Sequence, residues 1–167
     1  MATERRDNPV FAYDPPEGML DEINQRLLAE LQREPRLTMA ALGRRVGLSS
    51  PAVTERVRRL EESGVIVGYR LEVSAPALGL PLAAYVRVRP HAGQLNAIAE
   101  LARKIPEVVE CHRVTGDDCF IMKVHIPEMK QLDNLLDRFL IYGNTTTSII
   151  QSSPVPLRSL PVIRENQ

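Results

Sequence analysis

The sequence predicts an α+β protein in two parts: an N-terminal winged helix-turn-helix joined to a C-terminal ferredoxin-like βαββαβ domain. Three observations carry this. Apolar residues recur at helical spacing in three short segments up to residue 60. From residue 82 the pattern alternates between strand and helix periods. Basic charge is concentrated in the first part alone. The 167 residues are 44% apolar and 25% charged, ordinary for a globular chain large enough to bury a core without staples.

Residues 1–18 are polar, carry Pro9, Pro15 and Pro16 and show no periodicity, so they read as an arm on which Phe11 and Tyr13 stand out. Leu20, Ile23, Leu27, Leu28 and Leu31 then mark a first helix, with Asp21 and Glu22 in its first turn and Pro35 as its stop. Thr38 suits the N-cap of a second helix with Leu42 and Val46 on its inner face, and Gly47 suits its end. Gly43 inside that helix disfavours it by about 1 kcal/mol against alanine, and is either tolerated or needed for a close crossing. The third helix opens at Ser49-Ser50-Pro51. Either serine can cap it, and proline at the first helical position favours Ser50. Val53, Val57 and Leu60 form its inner stripe, Gly64 ends it, and an extended segment runs from Val65 through Tyr69 and Leu71.

Residues 75–81 hold Pro76, Gly79 and Pro81 and read as a linker. A strand (82–88), a helix (95–105), a strand (108–114), a turn (115–118), a strand (119–126), a helix (129–140) and a strand (145–151) follow, the βαββαβ order. The expected organisation is an arm (1–18), a helix-turn-helix domain (19–73), a linker (74–81), a βαββαβ domain (82–153) and an extended tail (154–167). In that tail Leu157, Leu160 and Val162 are packing candidates.

The chain carries 21 basic and 21 acidic residues, yet residues 36–60 hold Arg36, Arg44, Arg45, Arg56, Arg58 and Arg59 against the single acid Glu55. A basic block on a helix-turn-helix pattern predicts double-stranded DNA as partner, with the third helix in the major groove. Arginine suits the task because its fork pairs with guanine or clamps a phosphate. Seven aromatics and no tryptophan argue against a single-strand stacking platform.

Other chemistries find little support. No run approaches the roughly 18 to 20 apolar residues of a membrane span, and the N-terminus lacks the apolar core of a secretory signal. With two cysteines, the expectation is a cytoplasmic protein. A hairpin centred on residues 116–117 sets Cys111 opposite residue 122 and keeps it from Cys119, so no disulfide is expected. Cys111 and His112 point to opposite faces of a strand, which disfavours a metal site or a Cys-His nucleophile; buried small cysteines are the expectation. No phosphate-binding glycine loop and no convergent acid, base and nucleophile set appears, so the chain reads as a non-enzyme without a cofactor.

The chain resembles the Lrp/AsnC (feast/famine) regulators from about residue 20 to 150. The residues that carry the resemblance are Leu20-Asp21, Arg36-Leu37-Thr38, Val46-Gly47-Leu48-Ser49, Arg56-Val57-Arg58-Arg59-Leu60-Glu61, Gly64-Val65-Ile66-Val67-Gly68-Tyr69 and Val114-Thr115-Gly116-Asp117. The resemblance implies a transcription factor that dimerises through its C-terminal sheets and assembles to tetramers or octamers. It also implies an amino-acid effector between C-terminal domains of neighbouring dimers, near the 115–118 loop and the last strand. The implied effector residues are Thr115, Gly116, Asp117, Asp118 and Cys119, with Thr145, Thr146 and Thr147. Gly116 permits close backbone approach, the aspartates can accept from an ammonium, and the threonines supply hydroxyls. Many members carry a second aspartate where this chain has Cys119, and Asn24 replaces a common aspartate. The DNA-binding candidates are Arg44, Arg45, Ser49, Ser50, Thr54, Arg56, Arg58 and Arg59; Arg56 is also a candidate structural residue, and the alternative for some of these arginines is pairing with Glu55, Glu61 or Glu62, Arg58–Glu62 being at ion-pair spacing. The alternatives are a ligand-sensing interaction protein that does not bind DNA and a small ferredoxin-like enzyme. The basic third helix opposes the first, and the missing catalytic set opposes the second.

Overall fold

The computed structural model describes residue 16 and residues 18–162. Phe11, Tyr13 and most of the predicted arm therefore lie outside the described residues. The chain divides into two compact units, one of residues up to Leu71 and from Leu157 on, the other Glu72–Pro156.

The first unit is built from α1 (Glu22–Arg33), α2 (Met39–Val46) and α3 (Ser50–Glu62). Each begins where a short polar side chain replaces a missing intrahelical acceptor. Asp21 Oδ1 accepts from Asn24 N at 2.7 Å, and Thr38 Oγ1 accepts from Ala41 N at 3.2 Å. At α3 the cap is Ser49, whose Oγ accepts from Ala52 N at 3.4 Å, and not Ser50 as the proline position suggests. Ser49 is extended (ψ 153°) while Ser50 is already helical, so Pro51 occupies the second helical position. That costs nothing, because the first four helical N–H groups have no partner within the helix.

Leu27, Leu31, Leu42, Val46, Val53 and Val57 meet in one core, with Leu37, Leu48 and Ile66 at its margin. Gly47, at φ 77°, ends α2 in the left-handed region that favours glycine. Gly43 is needed for the turn it precedes. Leu48 N donates to its carbonyl at 2.9 Å, and a Cβ on Gly43 would stand 2.5 Å from the Leu48 carbonyl oxygen. The segment after α3 forms no strand. Ile66 N closes onto Leu60 O at 2.9 Å and Ile66 packs inward, while Val67, Tyr69 and Leu71 remain exposed. Among the described residues no strand lies beside it, so its alternating apolar face has no sheet neighbour against which to be buried.

The second unit starts with one 3-10 turn, Pro76–Leu78, in the predicted linker. It continues as β1 (Leu82–Pro90), α4 (Leu95–Lys104), β2 (Val108–Arg113), β3 (Phe120–Ile126), α5 (Met129–Leu140) and β4 (Gly143–Ile149). The strands pair antiparallel in the order β2-β3-β1-β4, a ferredoxin-like sheet. One face of each central strand buries Ala84, Val86 and Val88 or Phe120, Met122, Val124 and Ile126. Ile98, Ala102, Leu132, Leu135 and Phe139 of α4 and α5 complete this core. The other face carries Tyr85, Arg87, Arg89, Ile121 and Lys123, and neither helix of the unit covers it. β4 starts two residues before the predicted position because Gly143 lies against the Arg89 carbonyl, where a side chain would collide.

Gly43→Ala tests the close turn. Helix propensity alone predicts a gain of about 1 kcal/mol. The collision with Leu48 O predicts a net loss of about 1–3 kcal/mol, read as a lower urea midpoint for the first unit.

Candidate nucleic-acid interface

The surface of α3 is divided by its periodicity. Val53, Val57 and Leu60 face the core, and Pro51, Glu55, Arg58 and Glu62 descend the opposite line at intervals of three or four residues. Arg59 flanks that line, and Arg56 flanks the buried stripe. The predicted DNA-binding residues thus fall into three groups.

The first group holds the unit together. Arg56 Nη1 donates to Asp21 Oδ2 at 2.7 Å and to Asn24 Oδ1 at 3.0 Å, tying α3 to the start of α1. Asn24 is buried and donates its own amide to Met19 O at 2.9 Å, so both ends of that side chain are satisfied. The Arg56 guanidinium holds the Asp21 carboxyl below its ordinary value, and the Asn24 backbone amide adds to the effect. Arg45 bridges α2 to α1 through Glu30 at 2.7 Å and Glu34 at 2.6 Å. Arg45 lowers the pKa of Glu30.

The second group shapes the start of α3. Ser49 is engaged as the cap, and Thr54 Oγ1 donates back to Ser50 O at 2.9 Å. The third group is displayed. Arg44 is exposed with no ion-pair partner among the described residues. Arg58 binds Glu55 at 2.8 Å and also Glu62, and Arg59 Nε donates to Glu55 at 2.8 Å. These two guanidiniums draw the Glu55 pKa down to about 2.

In the second unit the 115–119 turn joins β2 to β3, with Gly116 at φ 106° and Val114 N donating to Cys119 O at 2.9 Å. Asp117 and Asp118 meet two arginines of β1 that the sequence reading did not include. Arg89 lies 3.1 Å from Asp117 and 3.7 Å from Asp118, and Arg87 lies 3.9 Å from Asp118. The signal was the Arg-Val-Arg alternation, which puts both guanidiniums on the polar face of β1; their neighbour depends on strand register. The three threonines do not converge. Thr146 pairs with Arg87 on the uncovered face, whereas Thr145 and Thr147 pair with Val88 and Val86 and belong to the other face. Cys111 pairs with Met122, as the hairpin predicts, but is exposed rather than buried because β2 is an edge strand. Among the described residues no group of three His, Cys, Asp or Glu could hold a metal, and no helix is long and apolar enough to cross a membrane.

Residues 20–67 match the family model of a winged helix-turn-helix DNA-binding domain, and residues 83–160 match that of the Lrp/AsnC ligand-binding domain. The chain belongs to the Lrp/AsnC family. It is 33% identical over 133 residues to the HTH-type transcriptional regulator LrpC of Bacillus subtilis, spanning 80% of this chain and 92% of that one. It is 34% identical to the leucine-responsive regulatory protein of Escherichia coli over 73% of this chain and 76% of that one. The fold matches a feast or famine regulatory protein of Mycobacterium tuberculosis complexed with L-methionine, with TM-score 0.78 and 33% identity over 84% and 98% of the two chains. It also matches a transcriptional regulator of Neisseria meningitidis in complex with L-methionine, with TM-score 0.79 and 26% identity over 85% and 96%. This Lrp/AsnC chain is accordingly a DNA-binding transcriptional regulator, and its relatives are regulators rather than enzymes.

Asp21→Asn separates the cap from the bridge, since asparagine still caps but cannot pair with Arg56. Asp21 has a depressed folded-state pKa, so its stabilisation is present above the unfolded value near 3.8 and is lost as pH falls through the folded value. The melting temperature of the variant should lie below wild type at pH 7. The gap should close on acidification below pH 3.8.

Proposed function

We propose that the chain regulates transcription in the cytoplasm as a homodimer, or an assembly of dimers, with α3 in the major groove and an amino-acid effector at the 115–119 turn. The observation that carries the DNA contact is the outward display of Arg58, Arg59 and Arg44 from a unit in which Arg45 and Arg56 hold the helices together. Ser49, Ser50 and Thr54 sit at the N-terminal end of α3, the end a recognition helix presents to base edges. Arg45 and Arg56 act mainly by fixing α1, α2 and α3, and so set the angle at which the displayed arginines arrive.

The uncovered sheet face supports dimerisation. Tyr85 and Ile121 lie on it beside Arg87, Lys123 and Thr146, a mixed surface suited to meeting a second copy. Two helix-turn-helix units in one dimer require a pseudo-palindromic operator with half-sites about one helical turn apart. Further assembly of dimers raises affinity through effective concentration.

At the turn, Arg89 and Arg87 face Asp117 and Asp118, two charges of each sign. A zwitterion matches that set by exchange. Its carboxylate takes a guanidinium, its ammonium takes a carboxylate, and Gly116 lets its backbone edge come close. Thr146 pairs with Arg87 beside this cluster, Thr115 belongs to the same turn, and Cys119 packs against the core, while Thr145 and Thr147 act through the packing of β4. An effector that binds one assembly better than another shifts the balance by its differential affinity.

Two measurements test this reading. Arg59→Ala should weaken binding to the operator duplex and reduce the slope of log K against log salt there by about one unit; an unchanged slope removes Arg59 from the phosphates. A thermal shift across the twenty amino acids, with light scattering on the same samples, should find a responder that raises the melting temperature and changes the assembly mass. At a hundredfold excess over Kd the stabilisation is about 2.7 kcal/mol. Arg89→Ala should abolish that response.

A further inference from the structure

The basic character of the 36–60 stretch does not extend along α3. Between Ser50 and Glu62 the helix carries Arg56, Arg58 and Arg59 against Glu55, Glu61 and Glu62, and is neutral. Glu55 lies on the outward line of the helix, opposite the Val53–Val57–Leu60 stripe. Its carboxylate accepts from Arg58 Nε at 2.9 Å, Arg58 Nη2 at 2.8 Å and Arg59 Nε at 2.8 Å. Both guanidiniums displayed from the α3 face are therefore already neutralised, and Glu62 takes the other arm of Arg58.

We propose that Glu55 is a specificity-determining residue: it holds Arg58 and Arg59 away from phosphates unless the groove offers its own carboxylate a donor. On arbitrary duplex, moving either arginine to a phosphate strands a carboxylate against a polyanion, and that repulsion cancels much of the gain. In the major groove the donor that fits a glutamate is the N4 amine of cytosine. A half-site presenting cytosine there takes over the Glu55 carboxylate and releases both arginines. Discrimination then comes from the penalty at wrong sites as well as from contacts at the right one. This inference rests on the reading that α3 enters the groove.

The test uses the full chain and its Glu55→Gln variant. Sites are selected from a randomised duplex pool, and affinity for a random-sequence duplex is measured across a salt series. The variant should bind random duplex about tenfold more tightly near 0.1 M salt, with a slope steeper by one to two units, as one or two freed arginines displace counterions. Its selected sites should lose a cytosine that wild type selects once per half-site and move toward adenine, which a glutamine amide recognises. A merely structural role would not raise non-specific affinity. Random-duplex binding that is unchanged or weaker in the variant overturns the filter, and identical selected sites overturn the cytosine contact. A wild type that enriches no duplex overturns the proposal together with the reading beneath it, whereas a wild type that enriches a motif confines any failure to Glu55.

Discussion

The carboxylate of Asp21 serves two helices. One oxygen accepts from the backbone amide of Asn24 and starts α1; the other accepts from Arg56 and pins α3. Arg56 also reaches Asn24 Oδ1, so one guanidinium satisfies a surface carboxylate and a buried amide together. Apolar packing of Val53 and Val57 permits α3 to slide or rotate, because hydrophobic contact is non-directional. A guanidinium held by two oxygens in fixed positions is directional. The orientation of α3 within the first unit follows from this bridge, and Arg45 does the same for α2.

The five arginines of α2 and α3 therefore divide by where the helix period sends them. Those beside the buried stripe become fasteners. Those opposite it are displayed, and on α3 they are held by acids of their own helix. Free α3 is neutral, so the DNA binding proposed for it is an exchange of partners, in which Arg58 and Arg59 leave carboxylates for phosphates or bases. Exposed pairs of this kind contribute little to stability, which makes the exchange accessible.

The second unit applies the same logic with a period of two. Val86 and Val88 face α4 and α5, while Arg87 and Arg89 face away and meet Asp117 and Asp118 from the turn between β2 and β3. The strand alternation thus separates a dry core from a charged surface within one nine-residue strand. The charged surface brings paired donors and acceptors to the turn where a zwitterion is proposed to bind.

The helices, the strands, the Thr38 and Gly47 signals and the hairpin register at Cys111 and Met122 were legible in the residues, because helix and strand periods and capping chemistry are local. The family was legible for the same reason, in short motifs of fixed spacing. Partners were not. Ser49 rather than Ser50 caps α3, Gly43 is needed for contact with Leu48, Arg56 reaches Asp21 thirty-five positions away, and Arg89 meets the 115–118 turn only through the antiparallel register of β1 and β3. A side chain's chemistry is set by its own atoms, but its task depends on which distant group the folded backbone carries to within hydrogen-bonding distance. Six arginines within twenty-five residues predicted a DNA-binding face; only the tertiary structure decided that Arg45 and Arg56 fasten the helices while Arg44, Arg58 and Arg59 are displayed.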